Sequence, residues 1–122
     1  MNTAVPTLVP QEKAGVIEFD WGQLTWFVTD QLVPDADMTF GRCIIRPGQE
    51  NPRHYHPNCS EILFVYQGTI EHTTAEGMKK MTAGDSISIP KNFVHQARNI
   101  GTEDAILMIS FSSAHRETCG EN

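Results

Sequence analysis

Short apolar or alternating runs recur along the chain, and none of them keeps the spacing of an amphipathic helix. No segment places apolar side chains at i, i+3, i+4 and i+7 over three turns. The runs are rich in Val, Ile, Phe and Thr, which favour strands. We therefore predict strands at Gly15–Phe19, Leu24–Thr29, Met38–Ile45, Ile62–Gln67, Thr69–Thr74, Ser86–Ile89, Phe93–Ala97 and Ala105–Phe111.

Turn-forming Gly, Pro, Asn and Asp residues separate these runs. Many short strands at regular spacing are typical of a sandwich or a barrel, so the fold class is predicted to be all-β. A chain of 122 residues is the size of one domain. We place an N-terminal arm at 1–14, the β-domain at 15–111 and a polar C-terminal tail at 112–122.

The large apolar residues of the strands are assigned to the core. This predicted core comprises Phe40, Ile44, Phe64, Tyr66, Ile87, Ile89, Met108 and Phe111. Trp21, Trp26 and Phe27 are interpreted as the cover of a sheet edge against a second subunit.

Charge and composition exclude several classes of partner. The formal net charge of −6, with nine scattered Lys and Arg, disfavours nucleic acid and anionic membranes. No apolar run approaches the ~20 residues of a membrane span, and "MNTAVPTLVPQEK" lacks the features of a secretion signal, so we expect a cytoplasmic protein. The three cysteines contain no C-x-x-C pair and are interpreted as reduced thiols.

The stretch "RHYHPNCSE" carries the candidate chemistry. His54 and His56 lie two residues apart, so on a strand their imidazoles point to the same side. Neutral imidazoles suit first-row divalent metals, and the carboxylate of Glu61 adds an oxygen ligand and a negative charge. The alternative is a purely structural set of polar residues, because a single H-x-H pair is not rare.

The residues around this pair form two spaced motifs. In "GQENPRHYHPNCSEILFVYQG", the residues Gly48, His54, His56, Glu61 and Gly68 are separated by five, one, four and six residues. In "GDSISIPKNFVHQARN", the marked residues are Gly84, Pro90, His95 and Asn99. The chain here resembles the cupin superfamily, except that Asn92 replaces a glycine of the second motif. We expect a positive φ at Asn92, since Asn tolerates this conformation best after Gly.

The resemblance implies a small single-domain cupin, a double-stranded β-helix or jelly-roll barrel, and commonly a homodimer. It also implies that His54, His56, Glu61 and His95 bind one divalent transition metal. Manganese or iron is favoured, and nickel, zinc, cobalt or copper is also compatible with the ligands. The first motif is similar to that of germins and oxalate decarboxylases, which use manganese. Four protein ligands leave two positions free on a six-coordinate metal for water, dioxygen or a chelating substrate.

The predicted function is that of a metal-dependent enzyme acting on a small oxygenated or carboxylate-bearing molecule. The reaction would be dioxygenation, or Lewis-acid isomerisation, cyclisation, elimination or decarboxylation. The alternative is a non-catalytic cupin that binds a small ligand or a metal. A metal-free epimerase type is disfavoured by the intact ligand set.

Residues outside the four predicted ligands receive simpler interpretations, and no general acid or base is assigned. Arg42, Arg53 and Arg98 could bind a substrate carboxylate, although each is more simply a solvated charge. Cys59 is interpreted as a packing residue. His72 and His115 are predicted to be solvated surface residues.

Overall fold

The computed structural model describes residues 5–120, which form an antiparallel β-structure with one short 3₁₀ helix. The elements are the 3₁₀ helix Gln11–Lys13 and the strands β1 Gly15–Phe19, β2 Gly22–Val28, β3 Thr39–Ile45, β4 His54–Tyr55, β5 Glu61–Gln67, β6 Thr69–Thr74, β7 Gly77–Thr82, β8 Ser86–Ile89, β9 His95–Asn99, β10 Ala105–Phe111 and β11 Cys119–Gly120. In this part of the chain, no helix has the length and apolarity needed to cross a membrane.

The strands form two sheets that enclose the core. One sheet has the order β1-β2-β3-β10-β5-β8, and the other has the order β11-β4-β9-β6-β7. Every strand pair within them is antiparallel. The all-β prediction is confirmed, and the arrangement is that of a jelly-roll barrel.

Four predicted strands, β1, β6, β8 and β10, are confirmed to the residue, and four others are shifted by one or two residues at their ends. Three strands were not predicted. Of these, β4 and β11 contain two residues each, too few for a periodic pattern. Strand β7 lies at a sheet edge, and its mostly exposed residues include Lys79 and Lys80, as is common where an edge must not pair with another chain.

Some residues that were predicted to be in the core lie on the outer face of their strands. On β5, Leu63 and Val65 are buried, whereas Phe64 and Tyr66 are 39% and 64% exposed. Phe40 on β3 is 39% exposed as well. The assignment of these three aromatic residues to the core is therefore wrong. The assignments of Ile89 and Phe111 to the core are confirmed.

Two polar residues connect the elements that carry the two motifs. The side chain of Asn99 is fully buried and donates hydrogen bonds of 2.8 Å to the carbonyls of Ile45 and Glu103, which joins the two sheets. Asn92 has φ of 72°, as predicted. Its N–H donates to the carbonyl of His56 at 2.9 Å, so the turn before β9 supports the segment that follows β4.

The two ends of the chain contain short ordered elements. The 3₁₀ helix lies within the predicted arm, and residues 1–4 and 121–122 lie outside the described residues. Within the predicted tail, Cys119 and Gly120 pair with Tyr55 and His54 of β4. The domain boundaries themselves stay a prediction.

Candidate metal centre

Both sheets contribute to one cluster of polar side chains. His54 on β4 lies opposite His95, the first residue of β9, in the smaller sheet. Glu61 is the first residue of β5 in the larger sheet, and His56 follows β4. One ligand atom from each of these four residues lies within 4.8 Å of the others. The structure thus brings together all four residues that the motifs single out.

Burial keeps this cluster largely free of bulk water. His56, Glu61 and His95 are each exposed by 4% or less, and His54 is half-buried. The ring centroids of His54 and His95 are 4.3 Å apart, and those of His54 and His56 are 5.0 Å apart. Three imidazoles and a carboxylate therefore converge at the inner end of a cavity.

The hydrogen bonds that Nδ1 makes in His54 and His56 determine which nitrogen of each ring faces the cluster. Nδ1 of His54 lies 2.8 Å from the Pro52 carbonyl, and Nδ1 of His56 lies 3.0 Å from the Glu117 carbonyl. A carbonyl only accepts, so each Nδ1 carries the proton and donates it. Each Nε2 is then the unprotonated nitrogen, which is the form that binds a metal.

Three buried atoms of the cluster have no hydrogen-bond partner within residues 5–120. They are Nε2 of His56, Nε2 of His95 and Oε1 of Glu61. Oε1 of Glu61 lies 3.3 Å from Nε2 of His56 and 3.2 Å from Nε2 of His95. Buried polar atoms are rarely left without a hydrogen bond. Several such atoms that point their lone pairs at one place are the arrangement expected around a metal cation.

The electrostatics of the cluster favour the ligand forms of its groups. Burial by itself would raise the pKa of Glu61, but His56 and His95, when their Nε2 atoms carry protons, outweigh burial and lower this pKa to about 2. Burial, with the nearby His95, lowers the pKa of His54 to about 4. Glu61 is therefore ionised and His54 neutral at pH 7, as metal binding requires.

His72 is a buried neighbour of the cluster that the sequence prediction missed. It is 1% exposed, and its Nε2 lies 3.0 Å from Nδ1 of His95. The prediction that His72 is a solvated surface residue is therefore wrong. A signal existed, because His72 and the buried Ile70 lie two residues apart on β6 and so share a face.

The other predictions for single residues have mixed outcomes. His115 is exposed, as predicted, and pairs with Asp30 at 3.2 Å. Cys59 is buried in the core cluster, which confirms its packing role. Arg42 does not line the cavity, and its Nη2 lies 3.3 Å from Thr25 Oγ1.

The cavity above the cluster has a volume of about 340 Å³ and a mostly apolar wall. Trp21 and Trp26 line it and pack against the core, and their contact with a second subunit stays a prediction. Arg53 also lines it, whereas Arg98 does not. A further cation in the lining, Arg116, comes from the predicted tail and was not foreseen.

Comparisons with known proteins agree with the fold and the motifs. A family model described as "Cupin domain" matches residues 41–111, more than half of the chain. "Protein SchB" of Streptomyces halstedii is 32% identical over 80% of this chain and 77% of its own length. "Germin-like protein 1-1" of Oryza sativa subsp. japonica is 36% identical, over 62% of this chain and 38% of its own length.

Among solved structures, the fold matches Bacillus subtilis oxalate decarboxylase, a protein with Mn(II) centres. The TM-score is 0.78 at 21% identity, over 86% of this chain and 29% of that chain. This chain therefore spans well under half the length of the decarboxylase and of the germin-like protein. The family model and the relative from Streptomyces halstedii together show that this chain belongs to the cupin family.

Proposed function

We propose that this protein is a metal-dependent enzyme that acts on a small carboxylate-bearing molecule. The metal would be one divalent ion, manganese or iron by preference, held by His54, His56, Glu61 and His95. The observation that carries the proposal is the convergence of three buried, unpartnered ligand atoms at the inner end of the cavity. The likeness to a decarboxylase with Mn(II) centres supports manganese.

The residues fit such an ion in number, type and charge. Nitrogen and oxygen donors suit manganese and iron, and four of them leave two of six positions for other ligands. A divalent metal would polarise a carbonyl or carboxylate oxygen of the substrate, and a redox-active one would also support oxidation. The reaction is accordingly either dioxygenation or a Lewis-acid isomerisation, cyclisation, elimination or decarboxylation.

The protein itself would orient the ligands and exclude water. The Pro52 and Glu117 carbonyls hold the rings of His54 and His56 through Nδ1. The apolar wall of the cavity limits access of water to the reacting atoms, which strengthens electrostatic interactions there. These are the contributions that the described residues can make to the reaction.

Metal analysis of wild type and three variants tests this proposal. We expect about one manganese or iron per chain in the wild type, with loss of the ion in His56→Ala and Glu61→Gln. The matched control His115→Ala changes an exposed histidine and should keep the metal. Glu61→Gln preserves the side-chain shape, so loss of metal there reports the charge and the oxygen ligand.

Oxygen consumption with a panel of small acids and diketones then separates the reaction classes. Uptake that disappears in His56→Ala supports dioxygenation, whereas substrate conversion without uptake supports Lewis-acid chemistry. A wild-type protein that stays empty after addition of manganese, iron, nickel and zinc would contradict the proposal. Stoichiometric metal without conversion of any substrate would favour the non-catalytic binding module.

We also propose that the protein is a homodimer that pairs through the outer face of the larger sheet. Four large apolar side chains are exposed there: Phe40, Ile62, Phe64 and Tyr66. They lie on β3 and β5, which flank β10 on either side, so they form one patch. On a chain with a net charge of −6, a patch of this kind is a candidate for contact with a second copy.

The cytoplasmic location also stays a prediction.

A further inference from the structure

Arg116 is a cation at the cavity wall that forms no ion pair with the described carboxylates. Its guanidinium lies over two aromatic rings, with Cζ 4.3 Å from the Trp26 ring and 5.2 Å from the Phe111 ring. Within residues 5–120, no ion pair includes Arg116. Burial lowers the pKa of Arg116, which reflects the cost of keeping this charge away from water, and the negative charge of Glu61 offsets only part of this effect. An anionic ligand would offset that cost.

The hydrogen bonds of Arg116 leave one edge of the guanidinium open. Nη1 donates to Thr118 Oγ1, and Nε and Nη2 have no partner among the described residues. Both nitrogens remain accessible to solvent, unlike the fully buried unpartnered atoms of the metal centre. Nε and Nη2 present parallel N–H bonds, which is the geometry that binds both oxygens of a carboxylate.

The chain segment that carries Arg116 is held against the barrel on both sides of it. The side chain of Asn58 donates to the carbonyl of His115 at 2.7 Å and accepts from the N–H of Glu117 at 3.0 Å. Two residues further on, β11 pairs with β4. The position of Arg116 is thus determined by specific contacts of its own segment.

Arg116 and the candidate metal centre border the same cavity through two shared neighbours. Thr118 Oγ1 accepts from Arg116 and lies 3.2 Å from Nδ1 of His56. The ring of Phe111 contacts both groups, with its centroid 5.2 Å from Cζ of Arg116 and 4.9 Å from the ring centroid of His56. A single small molecule in the cavity can therefore contact both the guanidinium and the metal position.

The rest of the wall determines what kind of molecule would fill the space. Aromatic and aliphatic side chains dominate it, including Phe19, Trp21, Trp26, Leu24 and Ile109. The volume of about 340 Å³ lies in the range of roughly 300–1,000 Å³ that proteins use for drug-sized ligands. A two-carbon diacid such as oxalate would leave most of this apolar wall in contact with water, at a cost in binding free energy.

The charges of the site favour an anion. With neutral histidines, a divalent metal and ionised Glu61 leave one net positive charge, and the cavity lining also contains the cations Arg116 and Arg53. This local excess contrasts with the formal charge of −6 on the whole chain. Such a concentrated positive region raises the local concentration of anionic molecules.

The geometry points to Arg116 as the residue that binds the carboxylate of the substrate, and to a substrate with an apolar, ring-sized body. The substrate class is therefore an aromatic or alicyclic carboxylic acid with a second oxygen that can reach the metal position. This assignment rests on the proposed function of the metal centre. It narrows the class of carboxylate and places its recognition in the C-terminal segment 112–120.

Calorimetric titration with benzoylformate, an aromatic 2-oxo acid, tests the assignment. The proteins are wild type, Arg116→Gln, Arg116→Lys and the control Arg98→Gln, each in manganese-loaded and metal-free form. Arg98 is exposed and lies outside the cavity. Oxalate and the neutral amide of benzoylformate serve as comparison ligands.

We expect Arg116→Gln to weaken benzoylformate binding by about 10- to 100-fold, the loss typical of a charged hydrogen-bonded pair. Arg116→Lys should recover part of the affinity, and Arg98→Gln should bind like the wild type. The neutral amide should bind equally weakly to wild type and Arg116→Gln. Oxalate should bind at least about tenfold more weakly than benzoylformate, because it buries little of the apolar wall.

Three results would overturn the assignment. They are equal affinity of wild type and Arg116→Gln for benzoylformate, binding of oxalate as tight as that of benzoylformate, and no saturable binding by the manganese-loaded wild type. Metal content and thermal unfolding of the same samples exclude a folding defect in Arg116→Gln. If the wild type holds no metal, the proposed function fails, and Arg116-dependent binding to the metal-free protein would still support the carboxylate site.

Discussion

At the scale of single residues, the candidate centre depends on the acceptors that its imidazoles find for Nδ1. His54 and His56 donate to backbone carbonyls, which no substitution can remove. His95 instead faces Nε2 of His72, a side chain. If Nε2 of His95 binds the metal, Nδ1 of His95 donates to His72, whose own proton is then on Nδ1. Nδ1 of His72 is buried and has no hydrogen-bond partner among the described residues. The desolvation of this N–H group is therefore the energetic cost of orienting His95 through His72.

Replacement of His72 should therefore change metal affinity, although His72 is not one of the four proposed ligands. We expect His72→Leu, which removes the acceptor, to weaken manganese binding by about 10- to 100-fold. His72→Gln keeps an acceptor and should lose less. The measurement is competition with a chelator of known affinity, and His115→Gln is the control for an exposed histidine. Equal affinity of His72→Leu and wild type would show that His95 needs no such partner.

At the scale of elements, the strands are short, and the turns between them position the ligand segments. The turn before β9 is one case, since Asn92 donates its N–H to the carbonyl of His56. The φ of 72° at Asn92 lies in the left-handed region, where residues other than Gly, Asn and Asp are strained. Asn is therefore a conservative replacement for the glycine that cupins usually have at this position.

Substitutions at Asn92 should follow backbone conformation more than side-chain chemistry. We expect Asn92→Gly to change the free energy of unfolding by less than about 1 kcal/mol and Asn92→Val to reduce it by about 1–2 kcal/mol. Urea unfolding of the metal-free proteins measures both values. Lys91→Val is the matched control, because Lys91 is exposed and adjacent but has no positive φ. An Asn92→Val protein as stable as Asn92→Gly would contradict this explanation.

At the scale of the whole molecule, each sheet has an inner face that borders the core or the cavity and an outer face. The outer face of the larger sheet carries the patch formed by Phe40, Ile62, Phe64 and Tyr66. An isologous dimer would bury the same patch from both copies. The metal centre lies on the inner side of the barrel, so dimer formation and metal binding should be separable.

A charge in the centre of the patch should separate the copies. We expect light scattering to give a dimer for the wild type and a monomer for Phe64→Glu, with metal content unchanged. Met78→Glu is the control, since Met78 is 60% exposed on β7 in the other sheet. A dimeric Phe64→Glu protein, or a monomeric wild type, would exclude this surface as the interface.

The spacing of residues predicted the fold class, most strands and His54, His56 and Glu61 as candidate ligands, and the resemblance of the two motifs to those of cupins added His95. Strands alternate their side chains, so His54 and His56 were expected on one side, and the two motifs together mark His54, His56, Glu61 and His95. The same local rules explain why a positive φ could be predicted at Asn92. Apart from His95, which belongs to the second motif, these features depend on residues that are near each other in the sequence.

The inner face of β5 could not be chosen by alternation, because both of its faces are apolar. Ile62, Phe64 and Tyr66 alternate with Leu63 and Val65, so a period of two is invisible. The parity of Glu61 contained the answer, since an inward Glu61 implies inward Leu63 and Val65.

The positions of His72 and Arg116 were decided by tertiary structure. His72 meets His95 across the pairing of β6 with β9, and Arg116 reaches the cavity because the C-terminal segment returns to β4. Both contacts join residues that are distant in the sequence, and no local spacing encodes them. The sequence by itself thus determined the composition of the cluster, whereas the neighbours of the cluster follow from how the two sheets and the C-terminal segment pack together.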